Sequence, residues 1–173
     1  MLIQHRSNIV FQHRRGRTKL KIAFFYKTPI GEIGIAEKDG FITNVFFGRT
    51  VKPENYTVKE TPVLKQANKQ LEEYFIGNRK NFDLPFLLEG TEFEKSVWNA
   101  LFEIPCGETR TYKQIAVQLG KSTACRAVGR ANGLNPISLF FPCHRVIGTN
   151  GKLTGYAGGL DAKRFLLEME GAL

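Results

Sequence analysis

The chain of 173 residues is 42% apolar and carries a formal net charge of +9, from 25 Lys and Arg against 16 Asp and Glu. This length holds one full domain or two small ones that share an interface, with disorder expected only at the ends. No apolar run approaches the roughly 20 residues that cross a bilayer, and no apolar core with a cleavage site opens the chain, so it reads as soluble and without a membrane partner. The basic excess points to a polyanionic partner, because clustered Lys and Arg gain free energy by releasing counterions from phosphates.

Residues 1–18 read as a basic tail: Arg6, Arg14, Arg15 and Arg17, with Lys19 and Lys21 behind them, occur with no acid among them. A solvated leader or an upstream start codon is one reading, a DNA-contacting arm a second, and an organellar transit peptide a third. From Leu20, short β-branched and aromatic runs break at Pro29-Ile30-Gly31 and at Asp39-Gly40. That pattern predicts an antiparallel meander. "TPVLKQANKQLEEYFIGN" predicts a helix over the sheet, with Pro62 in its first turn, an apolar stripe from Val63 to Phe75, and Gly77 as its stop. "NFDLPFLLEG" reads as a crossing linker, since Pro85 interrupts it and Gly90 ends it. A domain of residues 19–88 is therefore expected before one of residues 89–173.

The second domain opens on a capping box, Thr91 with Glu94, and an apolar stripe of Phe93, Val97 and Leu101 closed by Pro105 and Gly107. Trp98 is expected in the core. "TYKQIAVQLG" and "KSTACRAVGRANGLNP" then predict two short helices around a glycine turn, the second bearing Arg126 and Arg130. This is the helix-turn-helix arrangement of many DNA-binding proteins, although ordinary helical hairpins share the pattern.

Cys106, Cys125 and Cys143 are odd in number and lack C-x-x-C spacing, and His5, His13 and His144 form no ligand pair. No disulfide framework and no metal or other cofactor is expected, and a reducing, cytoplasmic compartment fits. Cys143 sits in "FFPCHRVIG" between Pro142 and His144, with Arg145 next. A working cysteine needs a base or a positive field to reach the thiolate, and these neighbours are candidates. Adjacent residues seldom point the same way, so a water between Cys143 and His144 is more plausible than a direct bond. The histidine also needs an orienting carboxylate, for which Asp161, Glu168 and Glu170 are within reach. From these residues alone, a buried structural cysteine and a nucleophile both stay open. Downstream, Asn150-Gly151 predicts a hairpin turn, "GYAGG" a tight loop, and Asp161 a cap for a terminal helix.

"RAVGRANGLNPISLFFPCHRVIGTNGKLTGYAGG" resembles the active-site region of the O-6-alkylguanine-DNA alkyltransferases, also called methylated-DNA-protein-cysteine methyltransferases. "IPCGETRTYKQIA" extends the resemblance, and the N-terminal strands share it loosely. The resemblance implies an α/β (α+β) protein. Its N-terminal part would be a ribonuclease H-like antiparallel-sheet domain, and its C-terminal part a helical domain with a winged-helix-like helix-turn-helix. It makes Cys143 the alkyl acceptor, His144 its base through a water, and Glu170 the group that orients His144, with Glu168 facing elsewhere. Arg126 would enter the base stack in place of an extruded nucleotide. Tyr112 would lie beside the flipped guanine, and Asn135 would brace the turn carrying Cys143. Tyr156 would wall the pocket, and the backbone of Val146 and Ala157 would read the base edge. The small residues Ala127, Ala131 and Gly133 suit a helix lying close to DNA, in this family in the minor groove.

The implied reaction is a single irreversible transfer from O-6-alkylguanine in double-stranded DNA, with O-4-alkylthymine as a second candidate substrate, by a monomer with little sequence preference. Ala157 stands where some relatives have serine, which matters little if its role is through the backbone. Two other readings remain: a non-catalytic reader of alkylated DNA, whose known examples lack the acceptor cysteine, and a cysteine hydrolase, which leaves Arg126 and Tyr112 unexplained.

Overall fold

The computed structural model describes residues 9–12, 21–48 and 56–173, and two compact units divide between Gly90 and Thr91. Of the basic run, Arg6, Arg14, Arg15, Arg17 and Lys19 lie outside the described residues, so the readings offered for the tail fall outside them too.

The first unit holds a six-stranded sheet and one helix. Strands β2 (Lys21–Thr28), β3 (Gly31–Lys38) and β4 (Phe41–Phe47) form the antiparallel meander. Its second reversal is set by Asp39 and Gly40, both at positive φ, a conformation that a two-residue Asp-Gly turn supplies cheaply. Three further strands depart from a purely antiparallel sheet. β5 (Tyr56–Val58) pairs parallel with β2, β6 (Phe86–Glu89) pairs parallel with β4, and β1 (Ile9–Gln12) pairs parallel with β6. The sheet order is β1-β6-β4-β3-β2-β5.

Two of these strands lie where the sequence suggested other structure. The stretch read as a linker contains β6, because Phe86, Leu87 and Leu88 bury their side chains and Pro85 only precedes the strand, where its missing N–H costs no ladder bond. The stretch read as a tail contains β1, whose Ile-Val-Phe core suits a pleated edge. Helix α1 (Pro62–Phe75) packs on β2, β3 and β4, and Thr61 caps it by accepting from the Leu64 N–H. The buried Gln70 amide exchanges both of its hydrogen bonds with the backbone of Asp83 and so fixes the approach to β6.

The second unit is mostly helical. In α2 (Glu92–Phe102) the Thr91 hydroxyl and the Glu94 carboxylate satisfy each other's backbone N–H, completing the expected capping box. Val97, Trp98, Ala100 and Leu101 are buried along it. α3 (Tyr112–Gln118) follows a second capping box of Thr111 and Gln114, and Gly120 at φ 67 turns the chain towards α4 (Cys125–Gly133). α4 packs on both α2 and α3, and the Trp98 indole N–H donates to the Ala131 carbonyl at 2.8 Å. A two-stranded parallel pair, β7 (Arg110–Thr111) with β8 (Val146–Ile147), and the terminal helix α5 (Leu160–Met169) complete the unit. No helix among the described residues is long and apolar enough to cross a membrane.

The α2–α4 contact fixes where the second helix of the pair lies. Trp98→Phe keeps the ring packing but removes the indole donor to the Ala131 carbonyl, which retains the Leu134 N–H at 3.2 Å, and should destabilise the protein by about 1 kcal/mol in urea unfolding followed by far-ultraviolet circular dichroism.

Candidate active site

After α4 the chain makes a buried loop that Asn135 holds from inside. Its Nδ2 donates to the Phe141 carbonyl at 2.7 Å, and its Oδ1 accepts from the Ile137 N–H at 3.1 Å. Leu139 adopts φ 75, a left-handed conformation that costs a non-glycine residue roughly 1–2 kcal/mol. The surrounding burial of Ile137, Phe140 and Phe141 offsets that strain. Pro142 then leads into a single 3-10 turn, Cys143–Arg145, and the Cys143 N–H also donates to the Phe141 carbonyl. One carbonyl thus ties the loop brace to the cysteine.

Cys143 is 4% exposed, and its Sγ lies 3.5 Å from the Ser138 hydroxyl. Burial pushes the thiol up from its ordinary value, while hydrogen bonding from Ser138 and Asn135 and the charge of Lys163 pull it back in part. His144, wholly buried, hydrogen-bonds through Nε2 to Glu170 Oε1 at 3.1 Å. Against an ionised carboxylate Nε2 must carry the proton, which leaves Nδ1 as an acceptor, buried and with no hydrogen-bond partner among the described residues. Burial pushes the imidazole below its ordinary value despite Glu170, so His144 is neutral at pH 7 and able to take a proton at Nδ1.

Arg145 turns away from the cysteine. Its Nε and Nη2 grip the two oxygens of Glu170 at 2.9 and 2.8 Å, and its Nη1 donates to the Ile104 carbonyl at 2.6 Å. Burial alone would raise the Glu170 carboxyl, but the hydrogen bonds from His144 and Arg145 and the guanidinium charge hold it well below the usual carboxylate range. Glu168, by contrast, is exposed and 4.0 Å from Arg164.

Lys163 is fully buried, and its Nζ donates to the carbonyls of Val146 at 2.6 Å and Thr154 at 2.7 Å. Burial lowers its pKa to about 8, against an opposing pull from Cys143. Thr154 in turn shares a 3.1 Å hydrogen bond with the Tyr112 hydroxyl, and the Tyr112 ring lies over Gly129 of α4. The half-buried Tyr156 presents its ring to that of His144, edge-on at 6.1 Å between centroids.

Cys143, His144, Glu170, Asn135, Val146, Tyr156 and, through Thr154, Tyr112 are therefore joined by contacts within one unit. Arg126, Ala127 and Gly133 are exposed on α4, and Ala157 is exposed in the loop before α5. Ala131 departs from its expected place on that surface: it is 2% exposed and faces Trp98. Four residues beyond Ala127 the helix has turned about 40° further, enough to bring Ala131 onto the core side. Val146 is more occupied than expected, since its N–H donates to the Cys143 carbonyl and its own carbonyl takes Lys163. One lone pair of that carbonyl remains for a base edge. Asp161 does not cap α5, whose N-cap is Gly159, although its charge lies in the first turn. Asn150-Gly151 forms a turn closed between Gly148 and Lys152, without the strands of a hairpin.

The sequence reading missed Ser138, Thr154 and Lys163. A signal existed for Lys163, which shares the apolar face of Ala162, Leu166 and Leu167, where a charge demands an internal partner. Among the described residues no group of three or more His, Cys, Asp or Glu is placed to hold a metal ion, and all three cysteines are free thiols.

Two family models match the chain: the ribonuclease-like domain of 6-O-methylguanine DNA methyltransferase over residues 22–88, and the DNA binding domain of the same family over residues 92–172. A methylated-DNA-protein-cysteine methyltransferase of Methanosarcina acetivorans is 52% identical over 85% of this chain and 96% of its own length. The constitutive enzyme of that name from Bacillus subtilis is 48% identical over 83% and 92%. The crystal structure of a Mycobacterium tuberculosis O6-methylguanine methyltransferase superposes with a TM-score of 0.81 at 44% identity, covering 88% of this chain and 93% of that one. The M. tuberculosis OGT protein in complex with DNA gives the same score and identity over 87% and 92%.

Because the folded carboxyl of Glu170 lies below its ordinary value of 4.5, its ionised form favours the fold. That stabilisation is complete above the ordinary value and is lost as the pH falls below it. Glu170→Gln leaves the buried Arg145 without its counter-charge and should cost about 3 kcal/mol at neutral pH. Urea midpoints measured against pH should show the gap to the unsubstituted protein closing in acid.

Proposed function

The chain belongs to the 6-O-methylguanine DNA methyltransferase family, and on that premise we propose that it repairs DNA by direct reversal, moving a methyl or other alkyl group from O6 of guanine onto its own Cys143. Its activity is that of a methylated-DNA-protein-cysteine methyltransferase. The observation that carries the assignment to Cys143 is the buried series of thiol, neutral imidazole and ionised carboxylate formed by Cys143, His144 and Glu170.

In the proposed reaction the thiol proton passes through a water to Nδ1 of His144, whose Nε2–H stays on Glu170. The sulfur lone pair forms a bond to the alkyl carbon, the carbon–oxygen bond breaks, and its electron pair moves into the guanine. The base takes up one proton, so the thiol hydrogen is balanced in the product. The other product is a thioether, and none of the residues described offers a route to hydrolyse it. Each molecule accordingly acts once.

A carbon inside a duplex is out of reach, so the nucleotide must leave the stack at a cost of roughly a few kcal/mol. Arg126 is exposed at the start of α4, and we assign it the space the base vacates. Ala127 and Gly133 present little bulk beside it, which favours close approach in the minor groove. Lys113, Lys121 and Arg130, also exposed on or beside α3 and α4, would hold phosphates without reading sequence. We assign action as a monomer, since every residue given a role belongs to the one unit of residues 91–173, and cysteines outside any disulfide support a reducing compartment such as the cytoplasm. O-4-alkylthymine offers the same oxygen-bound carbon and is a second candidate substrate.

Intact mass after incubation with a duplex carrying one O-6-methylguanine tests the reading. One added methyl, located on Cys143, absent from Cys143→Ala and never followed by a second round, is the expected result. Tight binding without a mass change would instead favour a reader of alkylated DNA. Arg126→Ala should slow transfer from duplex by at least about tenfold while changing transfer to free O-6-methylguanine base little, as measured by single-turnover kinetics.

A further inference from the structure

Ser138 stands three residues after Asn135 in the buried loop, is 2% exposed, and has one hydrogen-bond partner for its hydroxyl among the described residues, the sulfur of Cys143 at 3.5 Å. Its backbone is held by a bridge to Phe141, the same residue whose carbonyl receives Asn135 and Cys143. The hydroxyl is thus aimed at the sulfur by the structure that positions the cysteine. In the resting thiol either atom can donate. Once the proton has left, the sulfur can only accept, and the hydroxyl is the neutral donor already beside it.

We propose that Ser138 is a catalytic residue of the transfer, donating its hydroxyl proton in a hydrogen bond to the Cys143 thiolate and so raising the thiolate population in a site that excludes water. The proposal rests on the alkyl-transfer reading above. No atom of Ser138 changes bonding: the sulfur–carbon bond forms, the carbon–oxygen bond breaks towards the guanine, and Ser138 keeps its proton. Relative to the resting thiol, the hydrogen bond strengthens as charge develops on the sulfur and is still partly felt in the transition state, which is the difference a contribution to rate requires.

The charged and titratable groups around the sulfur are His144 and Arg145 on its own turn and Lys163 and Glu170 from the terminal helix and its end. Arg145 is committed to Glu170 and Ile104, and Lys163 to Val146 and Thr154. The charge of Lys163 acts on the sulfur from a distance, whereas Ser138 touches it.

The test compares the unsubstituted protein with Ser138→Ala and Ser138→Thr. Iodoacetamide labelling from about pH 7 to above about pH 11, resolved by peptide mass so that Cys106 and Cys125 are read separately, titrates Cys143 without DNA. Ser138→Ala is expected to move the Cys143 inflection up by about one pH unit. Single-turnover methyl transfer should fall about tenfold at neutral pH, with the difference closing in alkali. Ser138→Thr, which keeps the hydroxyl, should retain the original inflection. An unshifted inflection in Ser138→Ala, or a rate loss equal at every pH, would overturn the proposal and leave Ser138 a packing residue. Failure of the unsubstituted protein to accept any methyl would overturn the functional reading instead, a result separate from the labelling titration.

Discussion

A carboxylate withdrawn from water gives up several kcal/mol of hydration, and Glu170 regains it from two directions at once. Arg145 approaches both oxygens in a fork, and His144 donates to one of them. The pairing decides more than its own energy. It fixes which imidazole nitrogen carries the proton, and so leaves Nδ1 free to act as a base. It also closes the end of α5 onto the cysteine turn, while the remaining arm of Arg145 reaches the Ile104 carbonyl just beyond α2. Three segments distant in sequence meet at one side chain, and the reactive turn cannot move without breaking a buried ion pair.

Lys163 performs a comparable task on the opposite side. A buried ammonium must find acceptors, and the carbonyls of Val146 and Thr154 supply two. The strand after the cysteine and the loop before Tyr156 are thereby held at one point, and Thr154 passes the constraint on to Tyr112. Burial of the thiol opposes ionisation more strongly than Lys163, Asn135 and Ser138 favour it. The resting sulfur is consequently protonated at neutral pH, which shields it from adventitious electrophiles. In the proposed reaction ionisation would then fall to His144, whose Nδ1 belongs to the same buried network.

Much of this was legible in local sequence. Pro62 in a first helical turn, Thr91 with Glu94, and Asp39-Gly40 specify a helix start, a cap and a turn through contacts spanning three or four residues, and each forms. The cluster from Pro142 to Arg145 was visible as chemistry, but Asp161, Glu168 and Glu170 stayed open on the residues alone, and it was the family resemblance that singled out Glu170. What escaped was non-local. Nothing near Phe86 says that it pairs with Ile42 or that Ile9–Gln12 lies alongside, since parallel partners are set by the sheet and not by a turn. Ala131 looked like Ala127 until Trp98 was placed against it, and Ser138 looked like any loop serine until the chain folded its hydroxyl against the sulfur.

The division of labour within α4 follows from its packing. Val128, Ala131 and Asn132 face the core, so the helix cannot rotate, and the opposite side is left to Arg126, Ala127, Arg130 and Gly133. That exposed face contains two guanidinium groups and almost no bulk, a composition that attracts phosphate from a distance yet offers few groups able to distinguish one base pair from another. A protein that must find a lesion in any sequence context benefits from such a surface. Under the proposed reaction, discrimination would rest on Cys143, since only a base bearing an electrophilic carbon could alkylate it. On this account affinity for DNA and selectivity for damage are separable properties, governed by different residues of one small unit.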